Sequence, residues 1–286
     1  MTADVTRFAP SPTGLLHLGH AFAALFAEHA AHASGGRFLL RIEDIDTARA
    51  RPEFEHAIEE DLAWLGLSWE RPVRRQSEHF AAYAAALEAL RRRGFVYPCF
   101  CTRKEIAAEI AASAAAPQGP DGPLYPGTCR RIDPKERERR LAGGTDHAWR
   151  LDTARAASAV GPLTFEESGA VPEAGHVVAQ PVMFGDVVLA RKDTPASYHL
   201  AVVVDDAAQG VTLVTRGLDL LPATHLHRLL QDLLGLSVPR YRHHRLITDD
   251  VGKRLAKRDQ ATALRTLRER GVRPEDIRTQ LGFTSR

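Results

Sequence analysis

The sequence predicts an α/β protein built on a doubly wound parallel sheet, and three stretches predict it. Near the N-terminus a strand pattern, Thr2–Ala9, precedes the helical run Leu18–Ser34 and a second strand, Arg37–Glu43, which together make one βαβ unit. Between the first strand and the helix lies RFAPSPTGLLHLGH (7–20), a Pro/Gly turn that opens directly into a helix. After a long irregular middle the rhythm resumes with helix Ser197–Gln209, strand Val211–Thr215 and helix Ala223–Leu234.

The remaining elements follow from local chemistry. Pro52 suits the first turn of a helix over Pro52–Leu65, where Phe54, Ile58, Leu62 and Leu65 recur on one stripe. Gln76–Arg93 reads as a further amphipathic helix stopped at Gly94. From Cys99 to about Asp193 the pattern changes. Pro and Gly cluster at 117–127, and short β-like pieces, Ala148–Leu151, Pro162–Glu166 and Gly185–Arg191, alternate with loops. This middle reads as an insertion. The expected division is 1–97 and 195–248 for the two halves of the α/β domain, 98–194 for the insertion, and 249–286 for a basic loop with a short helical tail.

The 286 residues, 44% hydrophobic and 26% charged, suit an ordinary globular protein of one large domain or two modest ones. A net charge of +2 is no argument for nucleic acid, so any basic footprint must be local, as in Arg91-Arg92-Arg93 and the RYRHHR segment at 240–245. The start MTADVTRF lacks the apolar core of a signal peptide, and no run of about 18 apolar residues occurs. The alanine-rich tracts 81–90 and 107–116 are helix formers. Three cysteines without a secretory signal argue against a disulfide framework. A cytoplasmic monomer is expected.

Two segments carry chemistry. At 17–20, HLGH sits at a helix N-terminus, where unpaired N–H groups and the helix dipole favour phosphate. Gly19 would let a nucleotide approach the backbone, and His17 and His20, three apart, share one side of the first turn. On spacing alone, such a pair is more often two surface histidines. Far downstream, GKRLAKRD (252–259) places four cations in a glycine-led loop, a pattern that alone is usually a solvated face.

Together, HLGH after PSPTG and the C-terminal K-R-L-A-K-R resemble the HIGH and KMSKS signatures of class I aminoacyl-tRNA synthetases. FLLRIEDIDTAR (38–49), TRGLDLL (215–221) and the RLAKRD loop narrow the resemblance to the glutamyl-tRNA synthetase group, from Arg7 to about Thr262. It implies a Rossmann-like class I catalytic domain with a zinc-bearing α+β insertion and a short helical C-terminal segment. By the same resemblance His17 and His20 serve as catalytic contacts to ATP phosphates, with Gly19 and Arg254 in the ATP site. Lys257 would clamp the leaving phosphates. The loop departs from the pattern: Arg254 stands at the first lysine, and Ala256 replaces the serine and loses its hydroxyl contact.

A glutamate substrate needs cations for its side chain and an acid for its ammonium. Arg7 and Arg216 end strands, where open α/β sheets bind ligands, and guanidinium fits carboxylate bidentately. Glu43 could pair with the ammonium, and Tyr198 could donate its hydroxyl. The resemblance assigns Arg7, Ser11, Glu43, Tyr198 and Arg216 to glutamate. Taken singly, each reads equally as a surface ion pair or, for Tyr198, a core aromatic.

Cys99, Cys101 and Cys129 suit tetrahedral zinc, and equally three reduced cysteines, two of them packed around Phe100. The resemblance supplies Tyr125 as a fourth ligand, giving one structural Zn2+ per chain, distant from the ATP motifs. Mg2+ is expected with ATP on chemical grounds, although no carboxylate cluster dedicated to it stands out.

A full glutamyl-tRNA synthetase continues into a long helical region that reads the anticodon, whereas this sequence ends soon after its KMSKS-like loop. The resemblance is therefore to the truncated paralogues of the group. It implies ATP-dependent, tRNA-independent activation of L-glutamate and transfer to the queuosine base in the anticodon loop of tRNA(Asp). Two alternatives stay open: a glutamyl-tRNA synthetase core charging the 3′ end of tRNA(Glu), and a non-catalytic zinc-bearing RNA-binding module. His17, His20, Lys257 and the glutamate set weigh against the last.

Overall fold

In the computed structural model, which describes residues 3–112, 117–172, 174–247 and 262–283, β1 (Val5–Phe8) leads through the proline turn into α1 (Leu18–Ala33). The strand β2 (Arg37–Ile42) returns parallel to β1, with Val5 opposite Arg37 and Phe8 opposite Leu40. Gly36 makes this return possible, because a Cβ there would lie 1.9 Å from the Asp4 carbonyl oxygen. Then follow α2 (Pro52–Trp64) and β3 (Arg74–Arg75), parallel to β2. Gln76–His79 forms a 3-10 turn before α3 (Phe80–Arg92), so the expected single helix starts with a tighter turn. It ends as expected at Gly94, whose φ is +72°.

The middle of the chain holds more helix than its pattern suggested. After β4 (Val96–Cys99) come α4 (Arg103–Ala112), the short hairpin β5 (Gln118–Gly119) and β6 (Gly122–Pro123), and α5 (Pro134–Ala142). β7 (Ala148–Leu151) precedes α6 (Thr153–Val160), the hairpin β8 (Thr164–Glu167) and β9 (Gly175–Val178), and β10 (Val188–Ala190). The helices α5 and α6 are set by side-chain caps, Asp133 accepting from the N–H of Lys135 and Asp152 from that of Arg155. β4, β7 and β10 form a separate antiparallel sheet.

The chain then runs through α7 (Tyr198–Ala208), β11 (Leu213–Gly217), α8 (Leu221–Leu234) and β12 (Arg240–His244) to α9 (Leu264–Glu269) and α10 (Pro274–Leu281). β11 and β12 are parallel, and β8 pairs with the far side of β12, so this hairpin from the 98–194 segment lies on the main sheet. The N–H of Thr212 donates to Val5 O at 3.0 Å, which sets β1 beside β11. The resulting order is β3-β2-β1-β11-β12-β8-β9. RYRHH, read as a basic footprint, is instead β12: Tyr241, His243 and His244 are buried, while Arg240 and Arg242 keep partial exposure. Alternation along a strand hid a core element behind charged letters.

Alternate residues of β2 serve opposite faces. Phe38, Leu40 and Ile42 join α1, α2 and the C-terminal Leu264, Ile277 and Leu281 in one core. Leu39 packs on the other face with Val214, Tyr241 and Phe165. A third core gathers Tyr83, Leu90, Leu200 and Leu226 between α3, α7 and α8. Each buried leucine contributes about 1.5–3 kcal/mol, and α1 packs on β1, β2 and β11, the central strands at whose ends the polar groups described below converge. Among the described residues no helix is long and apolar enough to cross a membrane.

Candidate active site

The C-terminal ends of β1, β2 and β11 open into a cavity of about 350 Å³. It is lined by Arg7, Glu43, Tyr198 and Arg216 on one side and by His17, Gly19 and His20 on the other. A larger cavity, about 570 Å³, adjoins it; Glu43 and Tyr198 line both, while Ser11 lines only the larger one. Of the expected glutamate set, four residues thus share one cavity and Ser11 stands next door.

His17 is the N-cap of α1 and binds its own helix start. Its Nδ1 accepts from the N–H of Gly19 at 3.1 Å, while Nδ1 of His20 accepts from the N–H of His17 at 3.2 Å. This is a capping box in which both acceptors are imidazoles. The bonds fix the tautomers, leaving Nε2 as the protonated, donating atom of each ring. Gly19 has a reason beyond approach to a ligand. A Cβ there would stand 3.0 Å from Cε1 of His17, so the capping ring would have to give way by a few tenths of an ångström. Arg254 and Lys257 lie outside the described residues. The chain on either side borders this place, since Ile247 lines the cavity and Ala263 bridges His17.

The two arginines differ in how their charge is met. Arg7, on β1, donates Nε to Asp206 Oδ1 at 3.0 Å and Nη1 to Thr215 O at 3.1 Å. Asp206 also takes Arg41 at 2.8 Å, and these two guanidiniums outweigh burial and hold its carboxyl below the usual range. Arg216, on β11 and 6% exposed, has no ion pair among the described residues. Its donors go to neutral acceptors: Tyr198 Oη at 3.2 Å, His227 Nδ1 at 3.1 Å, Thr224 Oγ1 at 2.6 Å and His243 Nε2 at 3.2 Å. A buried cation without a counter-ion is costly unless a ligand supplies one. Glu43 faces the same space with, among the described residues, a single ion pair, to Arg41 at 3.4 Å, and burial raises its pKa despite that partner. The cavity therefore offers a guanidinium for an anion and a carboxylate for a cation, side by side.

Asp206, Arg41, Thr224, His227, His243 and Glu167 were not singled out from the sequence. The available signal was charge inside apolar runs, Arg41 in RFLLRI and Asp206 in SYHLAVVVDD; the other four lie in no such run.

At the insertion, Cys99, Cys101 and Cys129 place their sulphurs within 4.8 Å of one another. Tyr125 Oη lies 3.4 Å from Cys99 Sγ and 3.6 Å from Cys101 Sγ, and accepts from the N–H of Cys129 at 2.9 Å. Three thiols and a phenol at such separations fit the edges of a tetrahedron around a zinc-sized ion, where sulphur–sulphur edges are about 3.8 Å. Without a metal, burial pushes the Cys101 thiol up to about 12 and raises the Tyr125 phenol. A dication would reverse both. The Arg150 guanidinium, 3.9 Å above the Tyr125 ring, also favours a phenolate.

Residues 4–284 match the family model of class I tRNA synthetases (E and Q), catalytic domain. The chain is 55% identical to the glutamyl-Q tRNA(Asp) synthetase of Rhodobacter capsulatus, over 98% of this chain and 100% of that one. It is 46% identical to the protein of the same name from Nocardia farcinica, over 95% of this chain and 81% of that one. Among solved structures it resembles a glutamate-tRNA synthetase from Elizabethkingia anophelis, with a TM-score of 0.80 and 28% identity, over 98% of this chain and 61% of that one. The chain thus spans under two thirds of that larger enzyme.

Proposed function

The chain belongs to the class I tRNA synthetase family for Glu and Gln, and on that premise we propose that it activates L-glutamate with ATP, without bound tRNA, and passes the glutamyl group to the queuosine base in the anticodon loop of tRNA(Asp). The observation that carries the choice of amino acid is Arg216, a buried guanidinium whose partners are all neutral. The choice of acceptor rests on the two relatives from Rhodobacter capsulatus and Nocardia farcinica, both glutamyl-Q tRNA(Asp) synthetases by name.

In this reading Arg216, together with Arg7, receives the side-chain carboxylate, and Tyr198 adds its hydroxyl. Glu43 takes the ammonium, and Ser11 contacts glutamate from the adjoining cavity. The free α-carboxylate attacks the α-phosphorus of ATP, pyrophosphate departs, and glutamyl-adenylate forms. His17 and His20 hold phosphate oxygens through Nε2 at the positive end of α1, Gly19 leaves room for the nucleotide, and Arg254 and Lys257 supply charge from the loop. No enzyme nucleophile is needed, so positioning and electrostatics carry the rate. A hydroxyl of the queuosine cyclopentene ring then attacks the activated carbonyl, releasing AMP and leaving an ester. Mg2+ accompanies ATP. Residues 1–97 and 195–248 form the catalytic domain together with the β8–β9 hairpin of the 98–194 segment, which extends its sheet. Within 98–194, Cys99, Cys101, Cys129 and Tyr125 hold one structural Zn2+, which fastens the insertion.

The test is ATP–pyrophosphate exchange with glutamate and no tRNA. Glutamate-dependent exchange is expected, with a severe loss in Lys257→Ala. Exchange that starts only after tRNA is added would overturn the tRNA-independent part, and wild-type exchange in Lys257→Ala would remove the loop from the mechanism.

A further inference from the structure

Arg216 and His243 are direct neighbours across the parallel ladder of β11 and β12. Nε of Arg216 donates to Nε2 of His243 at 3.2 Å, so that imidazole must accept on Nε2 and carry its proton on Nδ1. What enforces this is Glu167, at the end of β8. Its Oε2 lies 2.5 Å from His243 Nδ1, and its Oε1 accepts from the N–H of His243 at 3.0 Å and that of Gly169 at 2.6 Å. Both side chains of the Glu167–His243 pair are fully buried. Gly169 leaves the carboxylate its room: a Cβ there would stand 2.7 Å from Glu167 Oε1 and 2.3 Å from the His243 carbonyl oxygen.

We propose that Glu167 and His243 form a positioning relay that fixes the Arg216 guanidinium and thereby sets the preference of the site for a carboxylate side chain. The inference rests on the glutamate-activating reading above. An acid touching Arg216 directly, as Asp206 touches Arg7, would occupy the face meant for the substrate. Set one imidazole away, Glu167 polarises the ring and strengthens its hold on Nε, yet leaves the cation unpaired for an incoming anion. Thr224 and His227, both on α8, hold the other side of the guanidinium. His243 and Glu167 touch no substrate in this arrangement; they act through Arg216.

The experiment measures exchange kinetics of the purified full chain for Glu167→Gln, His243→Phe and His243→Gln, each checked for a cooperative thermal transition. Glu167→Gln keeps the volume and can leave its amide oxygen on the two backbone N–H groups, but it presents an NH2 to His243 Nδ1 and so favours the tautomer with the proton on Nε2, facing Arg216. His243→Phe fills the place without an acceptor. The KM for glutamate should rise about 10- to 100-fold in both, the range for losing one hydrogen bond to a charged group, while the KM for ATP stays within about twofold. The preference for glutamate over glutamine should shrink in parallel. His243→Gln, which can offer an amide oxygen to Arg216, should recover part of the loss. Folded variants with an unchanged glutamate KM, or with glutamate and ATP constants rising together, would overturn the relay. If Glu167→Gln and His243→Phe both fail to fold, Glu167→Asp, which keeps the charge but withdraws the carboxylate by one methylene from His243 Nδ1, must give the glutamate-selective effect or the relay falls. Wild-type protein that does not activate glutamate at all would contradict the parent reading and not the relay.

Discussion

Arg7 and Asp206 form a buried contact ion pair, Nε to Oδ1 at 3.0 Å, while Arg216 a few ångströms of sheet away has none among the described residues. The two arginines therefore do different work. Arg216 is the open charge, and Arg7 is a fixed one whose orientation depends on a carboxylate contributed by α7.

Arg216→Ala should raise the glutamate KM by about 30-fold to several thousand-fold, since truncating one partner of a buried charge pair costs about 2–5 kcal/mol. Arg216→Lys should recover little, because an ammonium cannot reproduce the four planar bonds. Asp206→Asn should cost stability, leaving Arg7 and Arg41 short of a counter-charge. A glutamate KM in Arg216→Ala equal to that of the wild type would show that the open guanidinium is not the carboxylate site.

Metal removal gives an independent prediction. Protein purified without chelator should carry one zinc, and stripping it should lower Tm and raise protease sensitivity within 98–194. Cys129→Ser should lose the metal. Tyr125→Phe should retain it more weakly. Metal analysis that finds none, with no response of Tm to added zinc, would remove zinc from the account.

Stability should fall on acidification between pH 6.5 and 4. His199, held at about 4 by burial and then by the Arg216 charge, must be neutral in the fold, and His227, His243 and His244 are depressed in the same way, burial being the largest cause. In that window the unfolded chain binds more protons, so the stability these histidines contribute is present above about 6.5 and is lost as pH drops. Asp61 works in the opposite sense. Burial raises its pKa to about 6, and neither carboxylate oxygen has a hydrogen-bond partner among the described residues. Its ionised form costs stability that is regained on acidification. Asp61→Asn should raise Tm at pH 7.5 by about 2–4 °C, on the order of 1 kcal/mol, and should make the fall toward pH 5 steeper. A Tm independent of pH between 7.5 and 5 in Asp61→Asn would contradict the histidine assignment, and a pH curve in Asp61→Asn identical to that of the wild type would contradict the Asp61 one.

The parts of the site that could be read from the sequence are those carried by contiguous motifs. HLGH marks a helix start, and Arg7, Glu43 and Arg216 end strands, because the signal there is local. The partners that make these residues useful are not local. Asp206 meets Arg7 across 199 residues, and Glu167 meets His243 across 76. Nothing within either segment announces the pairing. β12 was misread for a related reason: RYRHH alternates buried Tyr241 and His243 with Arg240 and Arg242, and its charged letters suggested a surface. The helices α5 and α6 were passed over because each is short and rests on a single aspartate cap.

The central claim is that glutamate, once activated, goes to a modified base and not to a 3′ terminus. The direct measurement gives the purified protein ATP and radiolabelled glutamate with tRNA(Asp) bearing queuosine, tRNA(Asp) lacking it, and tRNA(Glu). Label should appear only on the queuosine-bearing tRNA(Asp) and should persist when its 3′ end has been oxidised after protection of the modified base. An RNA loop base splayed from its stack can reach a pocket of this kind. Labelling of tRNA(Glu) at its 3′ end, with none on queuosine-bearing tRNA(Asp), would contradict the account.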